Sequence, residues 1–275
     1  MMNTGNLLLR LKQNLTSYSP TLQKLGNFVI EESSRVLYFT ITELARESGA
    51  SEASVTRLCR HLGCKGYTEF KMALALCVQQ NQPEVASNLS STESLIEESV
   101  QALRDTGALL DHQALQLAAQ ALHQAKAVQI YGVAASAIIG DFLQYKLLRV
   151  GKPALLFSDM HRAAMNATSL GQQDVLIAIS SSGSTKDILH AVTLAKQQQA
   201  QVIVISNTQR SPLAKLADIL LVAAKPEGPL NAGTLPAKVG AMLLVEFMVA
   251  ELTKQAAGYN QSIENTARAT FPLLL

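Results

Sequence analysis

The sequence predicts an all-α helix-turn-helix domain followed by an α/β domain built on a doubly wound, five-stranded parallel sheet, and three observations carry that prediction. Apolar residues recur at helical spacing through the first 78 residues. The stretch QQNQPEVASNLSSTE at 79–93 is polar, holds Pro83 and has almost no large apolar side chains, which marks a linker. From Ala127 onward, short Val- and Ile-rich runs alternate with helical patterns, as they do where helices cover both faces of a parallel sheet. The expected division is a helix-turn-helix domain at 1–78, the linker at 79–93, and the sheet domain with its leading helices at 94–275.

Composition bounds the function classes. With 275 residues, 48% hydrophobic and 16% charged, the chain has room for two ordinary cores, which excludes disorder and fibrous repeats. The formal charge of +2 is too small for a polybasic protein, but it is unevenly placed. Residues 1–80 hold nine basic and six acidic side chains, and the remainder hold fourteen and fifteen. The start, MMNTGNLLLRLKQ, has a three-leucine run broken by Arg10 and Lys12, unlike the apolar core of a secretory signal. The run AMLLVEFMVA at 241–250 is interrupted by Glu246 and spans about half of the roughly 20 residues a membrane helix needs, so a buried helix is expected there. The expected compartment is the cytoplasm, with no membrane partner. Cys59, Cys64 and Cys77 lack the paired spacing of a zinc site and are expected to be reduced core thiols, with no metal and no cofactor.

In the first domain, Ser19 and Pro20 open a helix carrying Leu22, Leu25, Phe28 and Val29 on one face. Residues 41–62, ITELARESGASEASVTRLCRHL, then carry two short helical patterns around Gly49. Ala45 is small where two helices must approach, and Gly49 permits the turn. Val55, Leu58, Cys59 and Leu62 form one apolar stripe. Ser51 caps the second helix, whose opposite face is expected to present Ser51, Ser54, Thr56, Arg57 and Arg60. These are hydrogen-bonding groups and cations of the kind that reach base edges and phosphates in a major groove. Arg57 is the first candidate for base contact, and Lys65 and Lys71, flanking the element, are candidates for phosphate contact.

After the linker, residues 94–125 read as helices broken near Asp111 and His112. The strands AVQIYGV, PALLFS, DVLIAIS, QVIVISN and ILLVAA follow, with helices between them and a last helix at about 236–255. Between the third strand and its crossover helix stands SSSGST, five hydroxyls around one glycine. Ser180, Ser182, Ser184 and Thr185 offer hydroxyl donors and Gly183 lets the backbone approach closely. The following helix turns its free N–H groups and positive dipole end toward an anion. The turn YGVAASA places Ser136 at the same edge of the sheet, where doubly wound folds bind ligands. The dinucleotide fingerprint GxGxxG is broken by Ala134, and no Walker GxxxxGK is present, so a small phosphate monoester fits better than a nucleotide.

Two resemblances converge on these residues. SEASVTRLCRHLGCKGYTEFK at 51–71 resembles the helix-turn-helix domain of the RpiR family of bacterial sugar-metabolism regulators. SSSGST, DMH at 159–161 and SPLAKLAD at 211–218 resemble a SIS (sugar isomerase) domain, and together the two cover about 5–255 in the family's order. The resemblance implies a cytoplasmic, dimeric or tetrameric transcription regulator, with repression the default. A phosphosugar in its SIS-type domain would alter affinity for double-stranded operator DNA, and amino-sugar 6-phosphates are first candidates for that effector. It also implies phosphate binding by Ser136, Ser180, Ser182 and Thr185. Ala134 stands where such domains often have glycine, and Ala237 and Lys238 where many relatives have Ser and Arg.

SIS domains also serve in sugar-phosphate isomerases, which need a positioned acid and base. His161, Glu227 and Lys238 are the candidate groups, with His161 and Glu227 expected to contact sugar hydroxyls. A metabolic isomerase has no use for a helix-turn-helix domain, so the expected protein is a regulator with no catalytic residues.

Overall fold

The computed structural model describes residues 7–81, 91–230 and 232–273. They group into two compact units. The first runs to Ser94 and takes in Glu227–Ala232, and the second comprises Leu95–Pro226 and Gly233–Leu275.

The first unit is helical: α1 (Leu7–Asn14), α2 (Pro20–Glu31), α3 (Ser33–Val36), α4 (Ile41–Glu47), α5 (Glu52–His61) and α6 (Tyr67–Asn81). Pro20 opens α2 as the sequence predicts, although Ser19 makes no side-chain cap bond. At α4, Thr40 and Glu43 form a capping box, with Thr40 Oγ1 accepting from Glu43 N at 3.1 Å and Glu43 Oε2 accepting from Thr40 N at 2.7 Å. Leu7, Leu11, Leu25, Val29, Leu44, Val55, Leu58 and Phe70 fill the core between these helices. All three cysteines are free and buried in or beside it. Burial pushes the Cys59 thiol up to about 12, which keeps it protonated and inert.

The second unit begins along α7 (Ser91–Ala108), and α8 (His112–Gln124) follows the predicted break, where Asp111 caps by accepting from the Gln113 and Ala114 amides. Then come β1 (Ala127–Tyr131), α9 (Ala135–Arg149), β2 (Leu155–Phe157), α10 (Met160–Ala167), β3 (Asp174–Ile179), α11 (Lys186–Gln197), β4 (Gln201–Ser206), β5 (Ile219–Val222), α12 (Leu235–Thr253) and α13 (Gly258–Thr270). The five strands are parallel in the order β2-β1-β3-β4-β5, with Ile130 opposite Ile177 and Ile177 opposite Ile203. Alternate strand residues feed two cores. Ile130, Ile177 and Ile203 pack with Leu122, Leu143 and Leu244 from α8, α9 and α12, while Leu176, Ala178, Val202 and Val204 pack with Ala163, Ile188 and Val192 from α10 and α11. Both faces are therefore covered, which is why these strands read as continuous apolar runs.

Three details differ from the sequence reading or fall beyond it. Of the linker expected at 79–93, residues 82–90 lie outside the described residues, and α6 and α7 take in 79–81 and 91–93. Glu246 stands on the exposed side of α12, paired with Lys146 at 2.8 Å, and α12 is otherwise a core helix. Helix α13 was not expected beyond residue 255; it buries no residue fully, but Tyr259 and Ile263, one turn apart, pack against the core, and it is tied back where Thr266 Oγ1 donates to the Arg149 carbonyl at 3.2 Å. Among the described residues, no helix is long and apolar enough to cross a membrane.

Candidate functional sites

The turn between α4 and α5 has the geometry its residues call for. Gly49 has φ of 68°, a conformation that favours glycine, and the Ala50 amide donates to the carbonyl of buried Ala45 at 2.8 Å. Ser51 Oγ caps α5 by accepting from the Ser54 amide at 3.1 Å. Arg57 and Arg60 stand exposed on α5, and Lys65 is exposed on the segment that follows.

Two residues expected on that face, Ser54 and Thr56, and one flanking lysine, Lys71, make contacts within the protein. Ser54 is buried, its hydroxyl 3.0 Å from Ser51 Oγ. Thr56 is half-buried and donates to the Glu52 carbonyl at 3.0 Å, a bond within its own helix. Lys71 turns inward, donating to the Phe39 carbonyl at 2.9 Å with its ammonium 5.9 Å from the Tyr67 ring centroid. Burial lowers its pKa to about 8, and the nearby Glu43 carboxylate only partly opposes the shift. A lysine held this way ties α6 to the connection between α3 and α4.

At the carboxyl edge of the sheet, the strand order reverses between β1 and β3, so the β1–α9 and β3–α11 turns open beside each other. The first turn is tightly built. A side chain on Gly132 would come within 2.9 Å of the Ser136 carbonyl oxygen. Ala134 adopts φ 48°, ψ −128°, the conformation for which glycine is better suited, so the substitution seen in sequence is a strained one. Ser136 is buried at the start of α9.

The second turn is the SSSGST segment. Ser180 is 3% exposed, its hydroxyl 3.3 Å from Thr185 Oγ1. Ser182 is exposed and Ser184 half-buried; Ser182 Oγ accepts from the Ser184 amide at 3.3 Å. Gly183 has φ of 58°, and a Cβ there would run into the Ser211 side chain, so both conformation and space exclude a side chain. Thr185 occupies the N-cap of α11 without a side-chain cap bond, leaving its hydroxyl to other partners.

Two groups passed over in the sequence complete this edge. Ser181, 9% exposed, accepts a 2.6 Å hydrogen bond from Lys238 Nζ, and Lys238 is itself 9% exposed in the first turns of α12. The signal was the lysine inside PAKVGAML, an ionic residue in an otherwise apolar helix start. Asn207, buried after β4, donates through Nδ2 to the carbonyls of Ala224, Lys225 and Ala237 at 3.0, 3.2 and 3.0 Å, which fixes the base of α12 against the sheet. The edge thus holds the Lys238 ammonium group on the Ser181 hydroxyl, in the hydroxyl-rich turn that leads into the N-terminus of α11, groups of the kind that bind a phosphate.

His161 is exposed in the first turn of α10, directly after β2, where Asp159 caps the helix by accepting from the His161 and Arg162 amides at 2.9 and 3.2 Å. Glu227 is half-buried in the short stretch that groups with the first unit. Among the described residues, no group of His, Cys, Asp and Glu is arranged to hold a metal ion.

Comparisons with known proteins agree with this architecture. Residues 5–81 match the model of the helix-turn-helix domain of the rpiR family, and residues 121–250 match that of the SIS domain. An uncharacterized HTH-type transcriptional regulator of Providencia stuartii is 31% identical over 228 residues, 80% of this chain and 81% of that one. The structure of the Vibrio vulnificus NanR protein complexed with ManNAc-6P (N-acetylmannosamine 6-phosphate) is 40% identical, with a TM-score of 0.92 over 98% of this chain and 100% of that one. The sugar isomerase domain of an RpiR transcription factor from Sphaerobacter thermophilus shares the fold of the second unit, at 21% identity and a TM-score of 0.59 over 66% of this chain and 99% of that one.

Proposed function

The chain belongs to the RpiR family of helix-turn-helix transcriptional regulators, with a SIS domain as its second part, and from that premise we propose that it is a phosphosugar-controlled repressor of sugar or amino-sugar catabolism. The observation that carries the sensor reading is the Lys238 ammonium group seated on Ser181, in the same turn as Ser180, Ser182, Ser184 and Thr185 at the entry to α11. In this reading the phosphate lies on Ser136, Ser180, Ser182, Ser184 and Thr185 with the Gly183 backbone, Lys238 supplies the countercharge, and His161 and Glu227 meet sugar hydroxyls. The effector is an amino-sugar 6-phosphate, with N-acetylmannosamine 6-phosphate the first candidate on the likeness to NanR.

On the DNA side, Ser51, Arg57, Arg60 and Lys65 make the operator contacts, Arg57 reading a base. The protein works in the cytoplasm as a homodimer or homotetramer. Two α5 helices related by twofold symmetry would read half-sites about 34 Å apart. The sugar is bound and released without turnover, because regulation needs only a difference in its affinity for two arrangements of the protein.

A thermal-shift screen against hexose, amino-sugar and sugar-acid phosphates tests the sensor. At 100 times its dissociation constant a ligand of the folded state adds about 2.7 kcal/mol of stability. A selective shift by one phosphosugar is expected, absent with the unphosphorylated sugar and absent in a Ser180→Ala, Ser182→Ala double variant. A full shift in the double variant would place the pocket elsewhere. Recovering the phosphosugar chemically unchanged after prolonged incubation with the protein is expected as well; conversion to an isomer would make the protein an enzyme.

A further inference from the structure

The connection from β5 to α12 touches the sheet-edge site at one end and helix α7 at the other. On the site side, the Asn207 amide N–H donates to the Ser181 carbonyl at 3.1 Å, while its side chain holds the carbonyls of Ala224, Lys225 and Ala237. Lys238 follows Ala237 directly and bonds the Ser181 hydroxyl. On the α7 side, the Ala224 amide donates to Thr106 Oγ1 at 3.0 Å and Lys225 Nζ donates to Glu98 Oε2 at 2.8 Å. Gly240 lies against the same threonine: a Cβ there would come within 2.5 Å of Thr106 Oγ1.

Thr106 is therefore where two routes from the site meet, one through Asn207 and Ala224 and one through the first turns of α12. It is 0% exposed, and its hydroxyl is used twice, donating to the Ala102 carbonyl at 2.7 Å and accepting from Ala224. A buried hydroxyl committed in both directions has one geometry, and packed interiors pass small displacements on rather than absorb them. Lys225, beside it, holds φ at 68°, a conformation that residues with side chains rarely adopt and that surrounding contacts must enforce. The division between the two units falls within α7, at Ser94 and Leu95, so α7 is an element that belongs to both.

We propose that Thr106 is the relay by which an anion bound at the sheet edge repositions α7. This inference rests on the sensor reading above. A phosphate taking hydrogen bonds from Lys238 draws the ammonium group from Ser181, and the start of α12 moves with it. Ala224, Lys225 and Gly240 then press or release α7 at Thr106 and Glu98.

The test compares the wild-type full chain with Thr106→Val, which removes the hydroxyl at near-constant volume, and with Thr106→Ser, which restores it. Affinity for N-acetylmannosamine 6-phosphate is measured by calorimetry, and affinity for an operator recovered by selection from genomic DNA is measured with and without the sugar. Allosteric couplings are commonly 5–150-fold, so the expected result is that Thr106→Val keeps both separate affinities within about threefold while its sugar-induced change in operator affinity falls about tenfold or to nothing. Thr106→Ser keeps the full response.

A full response in Thr106→Val overturns the relay, as does a Thr106→Val protein that no longer binds the sugar, since that would make the threonine part of the site. Hydrogen exchange on the wild-type protein gives an answer even where the variant does not fold. The sugar should change protection at the Ala224 amide and along 95–108, and unchanged protection there contradicts the relay. If the wild type does not bind the sugar at all, the sensor reading fails and the relay with it; if it binds and responds while Thr106→Val responds equally, only the relay fails.

Discussion

Lys71 and Lys238 are both drawn in from solvent, one in the helical unit and one at the sheet edge, and their surroundings give them opposite meanings. Lys71 meets a backbone carbonyl and an aromatic face, partners already complete without a ligand, and burial lowers its pKa to about 8. Lys238 meets a serine in a turn where hydroxyls and a helix N-terminus converge. In the proposed function Lys238 is the countercharge for a bound anion, and Lys71 is a structural tie.

Replacing each lysine by Met is the sharpest way to break that comparison. Lys238→Met removes a charge-assisted hydrogen bond to the bound phosphate, worth about 1.5–3 kcal/mol, so phosphosugar affinity should fall roughly 10- to 150-fold in a calorimetric titration. Lys71→Met should leave that affinity unchanged. Equal loss in both variants would erase the distinction between them.

The same contrast runs across the helical unit. Arg57→Ala should weaken specific operator binding by about 1–3 kcal/mol and relax sequence preference at one position. Lys65→Ala should weaken binding to all sequences and reduce the slope of log affinity against log salt by about 1. Lys71→Met should change neither the specificity ratio nor the slope, measured by fluorescence anisotropy across a salt series. A reduced slope in Lys71→Met would mean that this lysine reaches DNA after all.

At the sheet edge, Ala134→Gly should stabilise the protein by about 1 kcal/mol in chemical denaturation, because the strain of a positive φ is relieved and outweighs the added freedom of glycine in the unfolded chain. Lower stability would show that the alanine methyl is packed to advantage.

A further effect is on pH. The folded state lowers the Lys71 pKa to about 8 from 10.5, so between those values the unfolded chain binds the extra proton and this group's contribution to stability rises with pH. Cys59, raised from 9.0 to about 12, acts in the opposite sense above pH 9, so the useful quantity is the difference between wild type and Lys71→Met. The relative advantage of Lys71→Met should shrink from pH 8 to 10.5, and a difference flat across that window would contradict the buried amine.

The fold was legible because burial on both faces of the sheet leaves continuous apolar runs, and because Gly49, Ala45 and the Val55–Leu58–Leu62 stripe leave few alternatives for the helical turn. What escaped reading is a matter of facing. In a run of three serines nothing local distinguishes buried Ser181 from exposed Ser182, because each has the same side chain and the turn decides. Lys65 and Lys71 carry the same charge beside the same element, yet one is exposed and the other closes on the Phe39 carbonyl, a residue 32 positions away. Ser54 read as an exposed hydroxyl because it follows the cap, but the capping bond itself draws it in. Helix α13 sets only Tyr259 and Ile263 against the core, a shorter apolar contact than those that marked the other helices.

The central claim is that the sheet edge of the second unit recognises a phosphorylated sugar, and a calorimetric titration of the full-length protein with N-acetylmannosamine 6-phosphate, N-acetylmannosamine and inorganic phosphate tests it most directly. The account predicts saturable binding of the phosphosugar at least about a hundredfold tighter than the free sugar, roughly 2.7 kcal/mol, with the difference lost in Lys238→Met. Binding of sugar and phosphosugar with equal affinity, or of neither, would contradict it.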